Sequence, residues 1–92
     1  MIRSFRHKGL KRLYEDGDSS KLRPDLVDRV VNILTLLDRS RTIDGVSNPS
    51  LRLHPLKGDL KGYWAVTVRA NWRIIFRFEN GNVFDVDLVD YH

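Results

Sequence analysis

The last third of the chain consists of three runs in which apolar and polar residues alternate. The runs cover residues 63–69, 72–78 and 84–89. A period of two indicates a β-strand with one buried face, because successive side chains point to opposite sides of a sheet. Only short segments separate the runs, and such short connections join antiparallel neighbours. The pattern therefore predicts three antiparallel strands.

Helical spacing precedes these strands in two places. Leu10, Leu13 and Tyr14 recur at intervals of three or one residues up to Gly17, which predicts a short first helix. A longer helix is predicted after Pro24, a residue favoured in a first helical turn. Its apolar stripe consists of Leu26, Val30, Ile33, Leu34 and Leu37.

The length and the order of these elements define the fold class. A chain of 92 residues has enough apolar side chains for one hydrophobic core, so residues 1–92 are expected to form a single domain. Helices followed by a run of strands indicate an α+β protein. We expect two N-terminal helices packed on a small, mainly antiparallel C-terminal sheet.

Composition narrows the function without defining it. The formal net charge of +4 is typical of a protein that meets polyanions. The chain has no cysteine, which suits a reducing compartment. It also lacks an apolar run long enough to cross a bilayer and a signal-peptide core. A cytoplasmic protein without a membrane partner is expected.

Strand register follows from placing apolar residues opposite apolar residues, since a shift of one residue would expose the whole set. In the first hairpin the predicted pairs are Val68 with Ile74, Val66 with Phe76 and Trp64 with Phe78. In the second they are Phe78 with Phe84, Phe76 with Val86 and Ile74 with Leu88. These pairs require three-residue loops at 70–72 and 80–82.

The same register sets the charges on the polar face. Arg77 lies opposite Asp85 and has an acidic partner. Arg73 lies between Arg69 and Val89, and two arginines that face each other repel unless an anion lies between them. A bound phosphate would remove this repulsion. The alternative is that both arginines extend into solvent, which is the commoner arrangement of surface pairs.

The predicted register also brings the C-terminal residues to the Arg73 end of the sheet, with Trp72 opposite Asp90 and Asn71 opposite Tyr91. Arginine, aspartate, tyrosine and histidine would then converge there. Asp90 and His92 have the parity of the core residues, so they must lie beyond the packed layer to reach a substrate.

Such a cluster has side chains suited to RNA cleavage, which requires a base for the 2′-hydroxyl, an acid for the leaving oxygen and cations for the phosphate. His92 and Asp90 are candidates for proton transfer, and Tyr91 for hydrogen bonding or stacking on a base. Arg73 and Lys57 are candidates for holding the phosphate. The remaining candidates are His54 as a further catalytic residue, and Arg69 and Asn71 as RNA-binding residues.

Each candidate also has a structural interpretation. His54 precedes a proline and lies in a tight segment, and Asn71 is a common turn residue. The three histidines do not have the spacing of metal ligands, so no metal or other cofactor is expected. Two other functions remain open: a non-catalytic basic module that binds RNA or DNA, and a protein-binding regulator that uses the aromatic stripe. The antiparallel pattern makes that stripe core, which argues against the regulator.

Several segments together resemble the HigB toxins, also called plasmid-maintenance killer proteins, of the RelE superfamily. The likeness runs nearly end to end. The segments are residues 1–10 (MIRSFRHKGL), 53–58 (LHPLKG), 62–64 (GYW), 68–73 (VRANWR) and 90–92 (DYH).

This resemblance implies a RelE-like fold and a toxin that cleaves mRNA in the A site of the 70S ribosome by 2′-hydroxyl attack on the adjacent phosphate. It implies neutralisation by a cognate HigA-like helix-turn-helix antitoxin, with operator DNA bound only through the antitoxin complex. The positions that match the family's functional residues are His54, Lys57, Arg73, Asp90, Tyr91 and His92, with Asn71 matching one that contacts the mRNA base.

Overall fold

The computed structural model describes residues 1–91 and has helices on one side of a four-stranded antiparallel sheet. The α-helices are α1 (Lys8–Asp16) and α2 (Val27–Arg39). The strands are β1 (His54–Pro55), β2 (Tyr63–Arg69), β3 (Trp72–Glu79) and β4 (Asn82–Asp90), in the spatial order β1-β2-β3-β4. Short 3-10 helices occupy Pro24–Leu26, Ile43–Val46, Pro49–Leu51 and Gly58–Leu60. The predicted α+β class is confirmed, and β1 is a strand that alternation had not indicated.

Side chains and glycine define the ends of α1. His7 precedes the helix, and its Nδ1 accepts a hydrogen bond from the Leu10 N–H at 3.2 Å, which satisfies an amide that has no partner within the helix. Gly17 follows the helix with a φ of 70°, and its N–H donates to the Leu13 carbonyl at 3.0 Å. Glycine adopts this left-handed conformation readily, so the helix ends where the sequence predicted.

The longer helix α2 packs its apolar stripe against the sheet. Pro24 begins a 3-10 turn that leads directly into the helix. Ser40 follows α2, and its hydroxyl donates to the Leu36 carbonyl at 2.7 Å. The predicted stripe is buried, with Leu26, Val30, Ile33, Leu34 and Leu37 all in the core. No helix within residues 1–91 is long and apolar enough to span a membrane.

The hairpin between β2 and β3 has a different register from the predicted one. Ile74 lies opposite Val66, not Val68, so the pairing is displaced by two residues. The turn contains only Ala70 and Asn71, with Ala70 at a φ of 50°, and a β-bulge lies between Thr67 and Arg69. A displacement of two keeps the side chains before the bulge on their predicted faces, which is why the alternation could not detect it.

The hairpin between β3 and β4 is partly as predicted. Ile74 lies opposite Leu88, as expected, but Phe78 pairs with Val83 and not with Phe84. A bulge between Ile75 and Arg77 changes the register, and the turn shortens to two residues. As a result Val83 is in the core and Phe84 is not.

Asp85 lies in this bulge, with a φ of 56°. A left-handed conformation is uncommon for residues other than glycine, although aspartate tolerates it better than most. The N-terminal segment stabilises it, because the Asp85 N–H donates to the Ser4 hydroxyl at 2.9 Å and the Val86 N–H to the Ser4 carbonyl at 3.2 Å. The predicted ion pair is also present, with Arg77 Nε 2.9 Å from Asp85 Oδ2.

The N-terminal segment continues along the outer edge of β4. Ile2 and Phe5 form parallel bridges to Val83 and Val86. Asp38 on α2 ties this segment to the helix layer, since its Oδ1 accepts hydrogen bonds from the Ile2 N–H at 3.0 Å and from the Tyr14 hydroxyl at 2.7 Å. These bonds stabilise the ionised carboxylate over the neutral carboxyl group. They lower the pKa of Asp38 below its usual range, and the bond from the Ile2 amide contributes more than the bond from the Tyr14 hydroxyl.

Acid should therefore weaken the attachment of this segment. A carboxyl group whose pKa is lowered by folding stabilises the protein above its unfolded pKa of about 4, and that stabilisation is lost as the pH falls through the folded pKa. We expect Asp38→Asn to lower the free energy of unfolding at pH 7, and the difference from the wild type to shrink below about pH 4. Urea unfolding between pH 7 and pH 2 measures both quantities.

Asp16→Asn, an exposed carboxylate at the end of α1, is the control. Its free energy of unfolding should stay within about 0.5 kcal/mol of the wild type at pH 7 and in acid. An Asp38→Asn deficit of equal size at every pH would contradict the proposed role of the carboxylate.

Candidate functional site

The two faces of the sheet have different coverings. The larger buried cluster lies between the helices and one face, where it includes Val66, Ile74 and Phe76. The other face has a small cluster in which Leu56, from the segment between β1 and β2, packs with Ala65 and Ile75. No α-helix among the described residues covers this second face, although Leu60 from the 3-10 helix Gly58–Leu60 packs against its cluster. We call it the open face.

Pairing assigns several polar side chains to the open face, because residues that are partners across antiparallel strands point to the same side. His54 is the partner of Ala65, Ala65 of Ile75, and Ile75 of Asp87, which makes one row across the four strands. The next row towards the β2–β3 turn is Thr67, Arg73 and Val89.

Arg73 is half-buried in the middle of the second row. Its Nη1 donates to the Ala70 carbonyl at 2.6 Å and to the Trp72 carbonyl at 3.2 Å, so one end of the guanidinium is held against the turn. The Nε and Nη2 groups make no hydrogen bond with residues 1–91. That edge of a guanidinium has the geometry for two parallel hydrogen bonds to a phosphate.

The charge environment of Arg73 differs from that of Arg77 on the same strand. Arg77 contacts the carboxylates of Asp85 and Glu79 at 2.9 and 3.5 Å. Arg73 has no carboxylate partner within residues 1–91. The predicted opposition of Arg69 and Arg73 is wrong, because the β2–β3 register is displaced by two residues and puts Thr67 opposite Arg73; after the bulge, Arg69 pairs with Trp72. The repulsion between the two arginines is therefore absent and does not indicate a phosphate.

The C-terminal residues reach the Arg73 end of the sheet, as predicted. Asp90 is the partner of Trp72, and the Tyr91 N–H donates to the Asn71 carbonyl at 2.8 Å. Asp90 is exposed and therefore lies beyond the packed layer, as its parity required. It shares the side of Trp72, which packs on the helix-facing core, whereas Tyr91 follows the parity of Val89 on the open face and is 49% exposed. His92 lies outside the described residues.

Both tryptophans of the sheet pack against the core and are not assigned to stacking on a base. The Trp72 ring packs against the core, as the parity predicted, and the Arg23 guanidinium lies 5.7 Å from the ring centroid. Trp64 also packs against this core. Both tryptophans are structural in this arrangement.

His54 and Lys57 lie in the segment before β2. His54 is exposed, and its Nδ1 lies 2.9 Å from the Arg52 carbonyl oxygen. A carbonyl only accepts, so Nδ1 must carry the proton, and in the neutral imidazole Nε2 is then an unprotonated acceptor. Lys57 is exposed just before the 3-10 helix at Gly58–Leu60. Buried Leu56, between them, anchors the segment to the sheet.

On the sheet lattice, Arg73 and His54 are close enough to share one nucleotide, whereas Arg69 and Asp90 lie in the row of Trp72 on the other face of the sheet. Arg73 and His54 are two strands and one row apart, which corresponds to roughly 12 Å between Cα atoms. The long side chains of arginine and histidine can both reach a group between them. Among the described residues, no three histidine, aspartate or glutamate side chains cluster closely enough to hold a metal ion.

A separate groove of about 590 Å³ lies on the helix side of the sheet, between α2 and the segment around residues 48–51. Arg29 and Arg39 line it, and Arg29 Nη1 donates to the Val68 carbonyl at 3.1 Å. None of the candidate site residues lines this groove. The candidate site and this groove are therefore separate.

Comparison with known proteins identifies the family. Residues 3–92 match the model of the RelE-like toxin of type II toxin-antitoxin system HigB. The chain belongs to the HigB family. This HigB-family chain is 48% identical over 92 residues to the Endoribonuclease HigB of Proteus vulgaris, with all of both chains covered. It is 29% identical over 83 residues to Toxin HigB-1 of Vibrio cholerae serotype O1, covering 88% of this chain and 87% of the relative.

Solved structures share the fold of this HigB-family toxin at low sequence identity. The crystal structure of YafQ from E. coli strain BL21(DE3) has a TM-score of 0.67 at 17% identity, covering 98% of this chain and 91% of that one. In the YoeB–YefM complex from Staphylococcus aureus, the matched chain has a TM-score of 0.59 at 17% identity, with 100% and 95% covered. The expected RelE-like fold is thus confirmed.

Proposed function

We propose that this HigB-family toxin is an endoribonuclease that cleaves mRNA in the ribosomal A site and so inhibits translation. The observation that carries the proposal is Arg73, a half-buried cation on the open face with no carboxylate partner within residues 1–91. Its free Nε and Nη2 edge suits a phosphate. The 48% identity to the Endoribonuclease HigB of Proteus vulgaris, over the full length, supports RNA as the polyanion.

The proposed reaction is an attack of the 2′-hydroxyl on the adjacent phosphate. A bond forms between O2′ and phosphorus, and the bond between phosphorus and O5′ breaks. A base removes the proton of the 2′-hydroxyl, and an acid gives a proton to O5′. The products are a 2′,3′-cyclic phosphate and a new 5′-hydroxyl end.

The roles follow from the chemistry of the side chains. Arg73 and Lys57 stabilise the negative charge that grows on the phosphate. His92 and Asp90 transfer protons, together with His54, whose unprotonated Nε2 is able to accept one. Tyr91, exposed beside the Arg73 row, hydrogen-bonds or stacks on a base.

RNA binding extends around the same end of the sheet. Asn71 is exposed in the β2–β3 turn, and its assigned role is a contact with a base edge. Arg69 is exposed at the end of β2 and, in the row of Trp72 and Asp90, adds a cation for a flanking phosphate. A strand of RNA crossing this end would meet Arg73 and Tyr91 on one side and Arg69 on the other.

The proposed partners follow from membership of a type II toxin-antitoxin family. The substrate is mRNA on the 70S ribosome, which implies a cytoplasmic location. A HigA-like helix-turn-helix antitoxin neutralises the toxin, and the toxin meets operator DNA only through that complex.

The test is to express the chain with and without its neighbouring antitoxin gene and to map the 5′ ends of cellular mRNA. We expect growth arrest and new 5′-hydroxyl ends in phase with codons when the toxin is alone, and neither when the antitoxin is present. Intact transcripts with RNA retained on the purified protein would instead indicate a non-catalytic RNA- or DNA-binding module.

A further inference from the structure

Thr67 lies on the open face between the two strands that supply the candidate catalytic side chains. It is the direct partner of Arg73 across β2 and β3, and it is two residues from Ala65, the partner of His54. Side chains of directly paired residues have Cβ atoms about 5 Å apart. A nucleotide that reaches from the Arg73 guanidinium towards the His54 imidazole must therefore cross β2 next to Thr67.

The Thr67 side chain is half-buried, and its hydroxyl makes no hydrogen bond with any residue of the described chain. The other open-face side chains of β2 cannot take its place. Ala65 has no polar group, and the Tyr63 hydroxyl donates to Asp85 at 3.4 Å, towards the other end of the face. Among the open-face residues of β2, Thr67 is thus the one whose polar side chain has no hydrogen bond to the described residues.

The neighbouring bulge fixes this position. It inserts Val68 into the helix-facing core, where it is buried, and turns Arg69 to the row of Trp72. Thr67 is the last residue of β2 that pairs with regular register before the bulge, so its side chain stays in the row of Arg73. A β-branched side chain also has few rotamers, which keeps the hydroxyl close to one place.

We propose that the Thr67 hydroxyl hydrogen-bonds the sugar–phosphate backbone of the RNA between Arg73 and His54, as a substrate-positioning residue. The inference rests on the proposed function and assigns one further contact to that site. A hydroxyl both donates and accepts, so it can donate to a phosphate oxygen or pair with a ribose 2′-hydroxyl. Threonine is also common in strands because its β-branched shape packs well there, so the experiment must distinguish a role of the hydroxyl from a role in packing.

The matched variants are Thr67→Val, which removes the hydroxyl and keeps the shape, and Thr67→Ser, which keeps the hydroxyl. Thr35→Val on α2 is the control, because that hydroxyl donates to the Val31 carbonyl at 2.8 Å, away from the open face. Cleavage is measured on ribosomes programmed with a defined mRNA, as the maximal rate and as the toxin concentration that gives half of it. Thermal unfolding of each variant reports on folding.

We expect Thr67→Val to raise the half-saturating concentration roughly fivefold to tenfold, the effect of losing one hydrogen bond to substrate, with a maximal rate within about threefold of the wild type. Thr67→Ser should stay within about twofold on both measures, as should Thr35→Val. Single 2′-deoxy substitutions in the mRNA flanking the cut site then distinguish the two acceptors. A ribose contact makes one substitution harmful to the wild type and harmless to Thr67→Val, whereas a phosphate contact leaves all substitutions with equal effects on both proteins.

Wild-type kinetics for Thr67→Val would overturn the inference. So would a Thr67→Ser variant as defective as Thr67→Val, or a defect that tracks a lower unfolding temperature, since either result indicates a packing role. These failures are distinct from failure of the proposed function. If Arg73→Ala abolishes cleavage and Thr67→Val does not weaken it, only the Thr67 contact is wrong; if the wild type leaves the mRNA intact, the proposed function is wrong.

Discussion

Replacing Arg73 by alanine is expected to lower the rate of mRNA cleavage about 100-fold or more while the protein remains folded. The guanidinium has no carboxylate partner within residues 1–91, so its charge is available to a phosphate that gains negative charge in the transition state. Its anchoring bonds run to the Ala70 and Trp72 carbonyls at the turn, and the loss of these surface contacts should affect stability little. Single-turnover cleavage on programmed ribosomes measures the rate.

Arg77→Ala is the matched control, because Arg77 lies on the same strand and the same face but is engaged by Asp85 and Glu79. It should keep cleavage within about threefold of the wild type, since a paired surface charge contributes little beyond its own ion pair. Arg73→Lys keeps the charge without the forked geometry and should recover only part of the rate. Equal losses for Arg73→Ala and Arg77→Ala would indicate a general effect of positive charge and would contradict a specific phosphate contact at Arg73.

Replacing His54 by glutamine is expected to lower the maximal cleavage rate between about 10²- and 10⁴-fold, the range typical of a lost proton-transfer group. The hydrogen bond from Nδ1 to the Arg52 carbonyl leaves Nε2 as the acceptor, and glutamine has no group that takes a proton near neutral pH. The effect should fall on the maximal rate more than on the half-saturating toxin concentration.

His7→Asn is the control for the loss of a histidine outside the candidate site. His7 accepts the Leu10 N–H before α1, and asparagine is among the best residues at that position, so the helix should be preserved. Its cleavage rate should match the wild type. A His54→Gln protein that cuts at the wild-type rate would remove His54 from the proposed mechanism and leave proton transfer to the C-terminal residues.

The sequence was sufficient to predict the long elements and, outside the bulges, the faces of their side chains. Periodicity found α1, α2 and the three long strands, because amphipathic elements show their burial directly in the order of residues. It did not find β1, since two residues are too few to alternate. It also could not distinguish register shifts of two, which is why Val66 and not Val68 proved to be opposite Ile74.

A bulge and the displaced register explain the remaining errors. The bulge at Asp85 depends on Ser4, a residue at the other end of the sequence, and local patterns contain no trace of such a distant hydrogen bond. The displaced β2–β3 register, and not the bulge beside Val68, separated Arg69 from Arg73. The same register error hid Thr67, which the predicted pairing placed opposite Ile75. The approach of Asp90 and Tyr91 to the Arg73 end was predictable because the β3–β4 register is regular there.

The pairing of the N-terminal segment with β4 has a consequence for synthesis of the protein. Ser4 and Asp85 are 81 positions apart, and the Met1 amino group donates to the Gly81 carbonyl 80 positions away. Residues 2–5 can therefore pair only after residues 83–86 have been translated, and Arg73 acquires its neighbour Val89 only then. The face of the sheet that carries Arg73 is thus complete only after β4 has left the ribosome.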